Sequence, residues 1–138
     1  MKAHLMELGH PVADFGAHDD QPSDYPDYIL PAADAVARGA CDLGIVLGGS
    51  GNGEAIAANK VRGIRCAVCW SVEIARLSRR HNDANMIALA GRFLAAPEAA
   101  AIVDAWLSES YEGGRHANRL AKVSQYESAS HSHPQAPP

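Results

Sequence analysis

The segment Gly48-Gly49-Ser50-Gly51-Asn52-Gly53-Glu54 carries the strongest chemical signal in the chain. It follows an apolar run and opens a helical pattern. Glycines let a backbone turn sharply and bring several N–H groups toward one point. A helix N-terminus adds donors and the positive end of a dipole. Such a loop is suited to hold negative charge, either a phosphate or an oxyanion that develops during a reaction. The dinucleotide fingerprint fits only in part, because Glu54 stands where its third glycine belongs. There is no Gly-Lys-Ser/Thr, so the loop is not a P-loop. Glu54 would repel a phosphate placed against it. Beside a developing enolate, a carboxylate makes sense as the base that creates it, since a Glu with a pKa of about 4.3 is ionised at neutral pH. The other role open to Glu54 is to complement the helix dipole from the first turn.

Two further clusters carry polar chemistry. His81-Asn82-Asp83-Ala84-Asn85 lies between a helical pattern and a strand pattern. His81 could move a proton to or from a sugar ring oxygen, while Asn and Asp there also suit a simple turn. In Gly113-Gly114-Arg115-His116-Ala117-Asn118-Arg119, a helix would put Arg115 and Arg119 on one face. Converging guanidiniums suit a phosphate, and a solvated basic end is the other reading. Cys66 and Cys69 match C-x-x-C inside an apolar strand pattern, where residues three apart point to opposite faces. We read them, and Cys41, as core residues rather than a redox pair, which would need a helix N-terminus to activate a thiolate. His131 and His133 could touch a metal, but we assign no metal site.

These residues need a scaffold to bring them together. Helical patterns cover Lys2–Leu8, Asp27–Arg38, Glu54–Lys60, Val72–Arg79 and Pro97–Ser110; Ile29, Leu30, Ala33, Val36 and Ala37 recur at helical spacing, as do Ile102, Val103, Trp106 and Leu107. Arg76, Arg79 and Arg80 are expected to face outward. Short apolar runs at His10–Phe15, Leu43–Leu47, Ile64–Trp70 and Met86–Ala90 read as strands. The alternation predicts an α/β fold, a Rossmann-like doubly wound parallel sheet in three α/β/α layers. Ligands bind such sheets beyond the carboxyl ends of the strands. The Ser/Pro/Gln/His-rich segment 124–138 is expected to be a disordered tail after a domain spanning 1–123.

The 138 residues suffice for one domain, and 47% hydrophobic with 20% charged residues is a globular composition. A net charge of −4 argues against a nucleic-acid surface. No apolar run approaches the roughly 18 residues of a membrane span, so no membrane partner is expected. No signal peptide is visible, and three cysteines fit a reduced cytoplasmic protein.

Taken in order, the segments Glu7–His10, Asp14–Gly16, Asp24–Tyr28, Gly48–Glu54, Ile56–Lys60, Ala75–Ser78, His81–Asn85, and Glu112–His116 with Arg119, resemble the ribose-5-phosphate isomerase B family, which includes galactose-6-phosphate isomerase subunits. The resemblance implies aldose–ketose isomerisation of a phosphosugar without metal or other cofactor, by a homodimer (or a tetramer) whose active sites use both subunits. In one branch the base is a Cys in the glycine loop. Here that position is Gly48, so the chain is similar to the branch whose base is a Glu at the end of the loop, which is Glu54. The resemblance further implies that Ser50 and the N–H groups of Gly49, Gly51, Asn52 and Gly53 stabilise the enediolate. It implies that His81 assists ring opening with Asn82 nearby, that Arg115 and Arg119 bind phosphate, and that Tyr25 and Arg92 line the site.

Family members begin with a strand and a Ser-Asp-His-Ala-Gly-like segment ahead of the first helix, whose Asp and His contact substrate. This chain begins inside that helix, so the expectation is a start upstream of Met1 or a truncated chain. The leading function is ribose 5-phosphate isomerisation. The competing readings are a catalytically weak sugar-phosphate-binding protein, an isomerase of a six-carbon phosphosugar such as allose or galactose 6-phosphate, and a nucleotide-binding module, which Glu54 disfavours.

Overall fold

A computed structural model describes residues 1–130 of the chain. The elements in order are α1 (Lys2–Glu7), α2 (Pro26–Ala37), β1 (Gly44–Gly48), α3 (Asn52–Ala58), β2 (Cys66–Val68), α4 (Val72–Asn82), β3 (Met86–Ala90), α5 (Ala96–Ser108) and α6 (Arg115–Ser130). The three strands form one parallel sheet in the order β1-β3-β2, with Gly44 opposite Met86 and Gly48 opposite Ala90. All five residues of β3 are buried, as expected of a central strand covered on both faces.

Alternation along the strands builds two cores. On one face, Val46, Cys66, Met86 and Ala88 pack with Ile29, Ala33 and Val36 of α2 and with Ala55 and Ala58 of α3. On the other, Ile87 and Leu89 pack with Cys69, with Ala75 of α4, and with Ile102, Val103 and Trp106 of α5. The three layers are those the sequence patterns predict. Cys66 and Cys69 fall in different cores, and burial pushes their thiols up to about 12 and about 11. They are free core cysteines. Among the described residues no helix is long and apolar enough to cross a membrane.

Two expectations fail. Residues 10–15 form no strand. The N–H of Gly44 donates to Asn85 and the carbonyl of Gly48 accepts from Gly91, so Gly44, Val46 and Gly48 face β3. Ile45 and Leu47 therefore turn their backbone groups the other way. They face a slot of about 220 Å³ whose opposite wall is Val12–Gly16. Although it faces the open edge of β1 across this slot, that segment makes no backbone hydrogen bond to it. The second failure concerns the tail. Residues 124–130 are helical, because α6 runs on and is anchored there. Glu127 accepts from the N–H of Gly63 at 3.1 Å, and Arg62 donates to the hydroxyl of Ser128 at 3.0 Å. Polar composition suggested disorder, and these tertiary contacts override it. His131 and His133 lie outside the described residues.

Candidate active site

The glycine loop sits at the carboxyl end of β1, next to the end of β3, to which it is tied by hydrogen bonds from Gly91 to Gly48 (2.7 Å) and from Arg92 to Gly49 (3.2 Å). Gly51 caps α3 with φ +78°, a left-handed conformation that favours glycine, and sits against the backbone of Leu89. The hydroxyl of Ser50 accepts from the N–H of Asn52 at 3.3 Å. The N–H groups of Gly51, Gly53 and Glu54 donate to no described residue. The loop is thus an amide cradle with donors to spare.

Glu54 lies in the first turn of α3 and is 93% buried, since its relative exposure is 7%. Its carboxylate rests against Gly48, where a Cβ would overlap it. Among the described residues no ion pair holds it. The ring of Tyr25 lies over Gly53, so close that a Cβ there would come within 2.9 Å of it, and the exposed guanidinium of Arg92 lies beside Gly49. Glu54, Ser50, Gly49, Gly51, Asn52, Gly53, Tyr25 and Arg92 therefore form one cluster. A buried carboxylate beside free amide donors can take a proton from carbon and hold the resulting oxyanion.

The second cluster is built at the other end of the sheet. Helix α4 starts at Ser71, whose hydroxyl accepts from the N–H of Ile74, and ends at Asp83, which is left-handed at φ 44°. Asp83 tolerates that conformation and is held by Arg79 (3.0 Å) and Arg65 (2.9 Å). Asn85 accepts from the N–H of Arg65 and donates to the carbonyl of Gly63. The turn chemistry of this segment thus falls to Asp83 and Asn85. It leaves His81 in the last turn of α4, half-buried, with the exposed Asn82 beside it.

His81 stacks on His116, with ring centroids 4.1 Å apart and planes 11° from parallel. Glu112 completes the group: one carboxylate oxygen pairs with Arg80, and the other lies 3.8 Å from His81 and 4.0 Å from His116. Arg80 holds the carboxyl of Glu112 below its ordinary range. Burial first, then the nearby His81, Arg115 and Arg119, hold His116 below the ordinary histidine range, while Glu112 opposes this. The donor atoms of His81, Glu112 and His116 lie within 4.8 Å of one another. The in-plane lone pairs of two stacked rings lie in separate, nearly parallel planes, so the two do not converge on one ion, and we assign no metal ligand here. Arg115 and Arg119 share an exposed face of α6, and no described acid pairs with either. Glu112, His116 and Arg80 had no role from sequence. The only signal was the spacing of Glu112 and His116 in the same motif as Arg115.

The two clusters do not meet within one chain. The cradle follows the carboxyl end of the strands, whereas His81 precedes the amino end of β3. The five residues of β3 alone separate these ends by about 13 Å at roughly 3.3 Å per residue.

A family model described as Ribose/Galactose Isomerase matches residues 1–123. Ribose-5-phosphate isomerase B of Mycolicibacterium paratuberculosis is 47% identical over 138 residues, covering 99% of this chain and 84% of that protein. Its counterpart in Escherichia coli is 46% identical over 91% of this chain and 84% of its own. Among solved structures, the ribose-5-phosphate isomerase B of Clostridium thermocellum superposes with a TM-score of 0.92 at 48% identity, covering 94% of this chain and 87% of that one. That of Mycoplasma genitalium with bound ribulose-5-phosphate gives 0.87 at 40% identity, covering 91% and 84%.

Proposed function

The chain belongs to the ribose/galactose isomerase family, and from that premise we propose that it interconverts ribose 5-phosphate and ribulose 5-phosphate through an enediolate. The observation that carries this reading is the buried carboxylate of Glu54 at the mouth of the amide cradle. Glu54 takes the proton from C2 of the open-chain aldose and returns it to C1, while the hydroxyl proton passes from O2 to O1. The enediolate charge rests on the N–H groups of the loop and on Ser50. One such donor is worth roughly 3–4 kcal/mol in related oxyanion sites. His81 moves the proton that opens the furanose ring, beside Asn82. Arg115 and Arg119 hold the phosphate, and Tyr25 and Arg92 line the pocket.

The working unit in this reading is a cytoplasmic homodimer. Glu54 and His81 belong to opposite ends of one sheet, ends that β3 alone separates by about 13 Å at roughly 3.3 Å per residue. A second copy that lays its His81, Arg115 and Arg119 over the cradle of the first completes the constellation, and symmetry makes two such sites. The test is turnover of ribose 5-phosphate by the purified chain, measured beside allose 6-phosphate and galactose 6-phosphate. Ribose 5-phosphate should be preferred. Preference for a six-carbon substrate would reassign the substrate, and thermal stabilisation by a phosphosugar without turnover of any would reduce the protein to a binder.

A further inference from the structure

His81 sits in an arrangement that a lone proton carrier would not need. Its imidazole is half-exposed, and such a side chain ordinarily samples several rotamers. Here one face is covered by the ring of His116, and one edge looks onto Glu112. His116 is itself 93% buried, its exposure being 7%, and its Nε2 lies 4.0 Å from the carboxylate of Glu112. Glu112 is fixed twice over, by its side chain on Arg80 and by its backbone N–H on the carbonyl of Arg80 at 2.9 Å. The last turn of α4 and the first turn of α6 are thereby locked together around one partly exposed ring.

We propose that His116 and Glu112 are positioning residues that hold the His81 imidazole in the orientation ring opening requires. The inference rests on the reading of His81 as the ring-opening group. Neither residue touches substrate: His116 is buried behind His81, and Glu112 is engaged by Arg80. The charged and titratable groups around His81 are Glu112 and Arg80 from one side, and His116, Arg115 and Arg119 from α6. Holding a catalytic group in place removes an ordering cost from the reaction step, and a misplacement near 1 Å can cost about 100-fold in rate.

The chemistry of the two sugars offers a clean test. Ribose 5-phosphate closes to a furanose and must be opened. Ribulose 5-phosphate stays open-chain, because its 5-hydroxyl, the one that could close a ring onto the C2 ketone, carries the phosphate. Deuterium exchange from solvent into C1 of ribulose 5-phosphate therefore needs Glu54 but no ring opening. In the full-length enzyme, His116→Ala should lower conversion of ribose 5-phosphate roughly 10- to 100-fold and leave C1 exchange unchanged. His116→Phe, which rebuilds the flat stacked face, should restore most of the conversion. Glu112→Gln should show the same split with a smaller loss. Equal loss of conversion and exchange in His116→Ala, or unchanged conversion, would overturn the positioning role. If His81→Asn keeps full conversion, the failure lies in the role given to His81 itself.

Discussion

The carboxylate of Glu54 occupies the space that a side chain at position 48 would fill. Gly48 ends β1 and Glu54 stands in the first turn of α3, six positions later, so the loop closes on itself around this contact. The two positions at which the resembled family places its base, a Cys in the loop or a Glu at its end, are mutually exclusive in this geometry. Gly48→Ala should thus displace Glu54 and cost turnover about as much as removing the carboxylate, on the order of 10²-fold or more, while phosphosugar binding measured calorimetrically persists. Near-normal kcat in a folded Gly48→Ala enzyme would show that the carboxylate works from elsewhere.

A composite site predicts complementation. Glu54→Gln and His81→Asn should each be nearly inactive as homodimers. Mixed and allowed to exchange subunits, half of the dimers carry one intact site of two, giving about a quarter of wild-type activity. No recovery, with exchange verified by mass spectrometry, would place both residues in one protomer's site.

His116 links stability to pH. Its folded-state pKa lies below the unfolded value, chiefly through burial. Between those values the unfolded chain binds the extra proton, so the stability present above about pH 6.5 is lost as pH falls toward the folded value. Glu112 adds nothing in this window, because its carboxyl is held below its ordinary range and stays ionised there. Thermal melts from pH 7.5 to 5.5 should show a steeper decline for the wild type than for His116→Phe. Parallel curves would contradict the burial argument.

The open edge of β1 makes a different prediction. The amide of Val46 lies in the ladder to β3, whereas those of Ile45 and Leu47 face the slot. Hydrogen exchange should alternate along the strand, slow at Val46 and fast at Ile45 and Leu47. Uniform protection would mean that another backbone covers this edge.

How much of this was legible in the sequence differs by residue. The strand Met86–Ala90 and the helix with Ile102, Val103 and Trp106 announce themselves because apolar periodicity is a local property. Glu54 was legible as a candidate base because its repulsion of a fixed phosphate is argued from charge alone. The stack of His81 on His116 was not, since 35 positions separate them and only the packing of α6 against α4 unites them. Residues 10–15 misled for the converse reason. They carry a strand's composition, but they line the slot beside the open edge of β1 without hydrogen-bonding to it. The polar stretch 124–130 likewise became helix through contacts with Arg62 and Gly63 that no local pattern encodes.

The central claim is that Glu54 is the base. The measurement that addresses it most directly is turnover and proton exchange by Glu54→Gln, an isosteric change that removes only the ability to accept the proton. Phosphosugar affinity should be retained, while both conversion of ribose 5-phosphate and deuterium entry at C1 of ribulose 5-phosphate fall by about 10²- to 10⁴-fold. Substantial residual isomerisation by that variant would contradict the account.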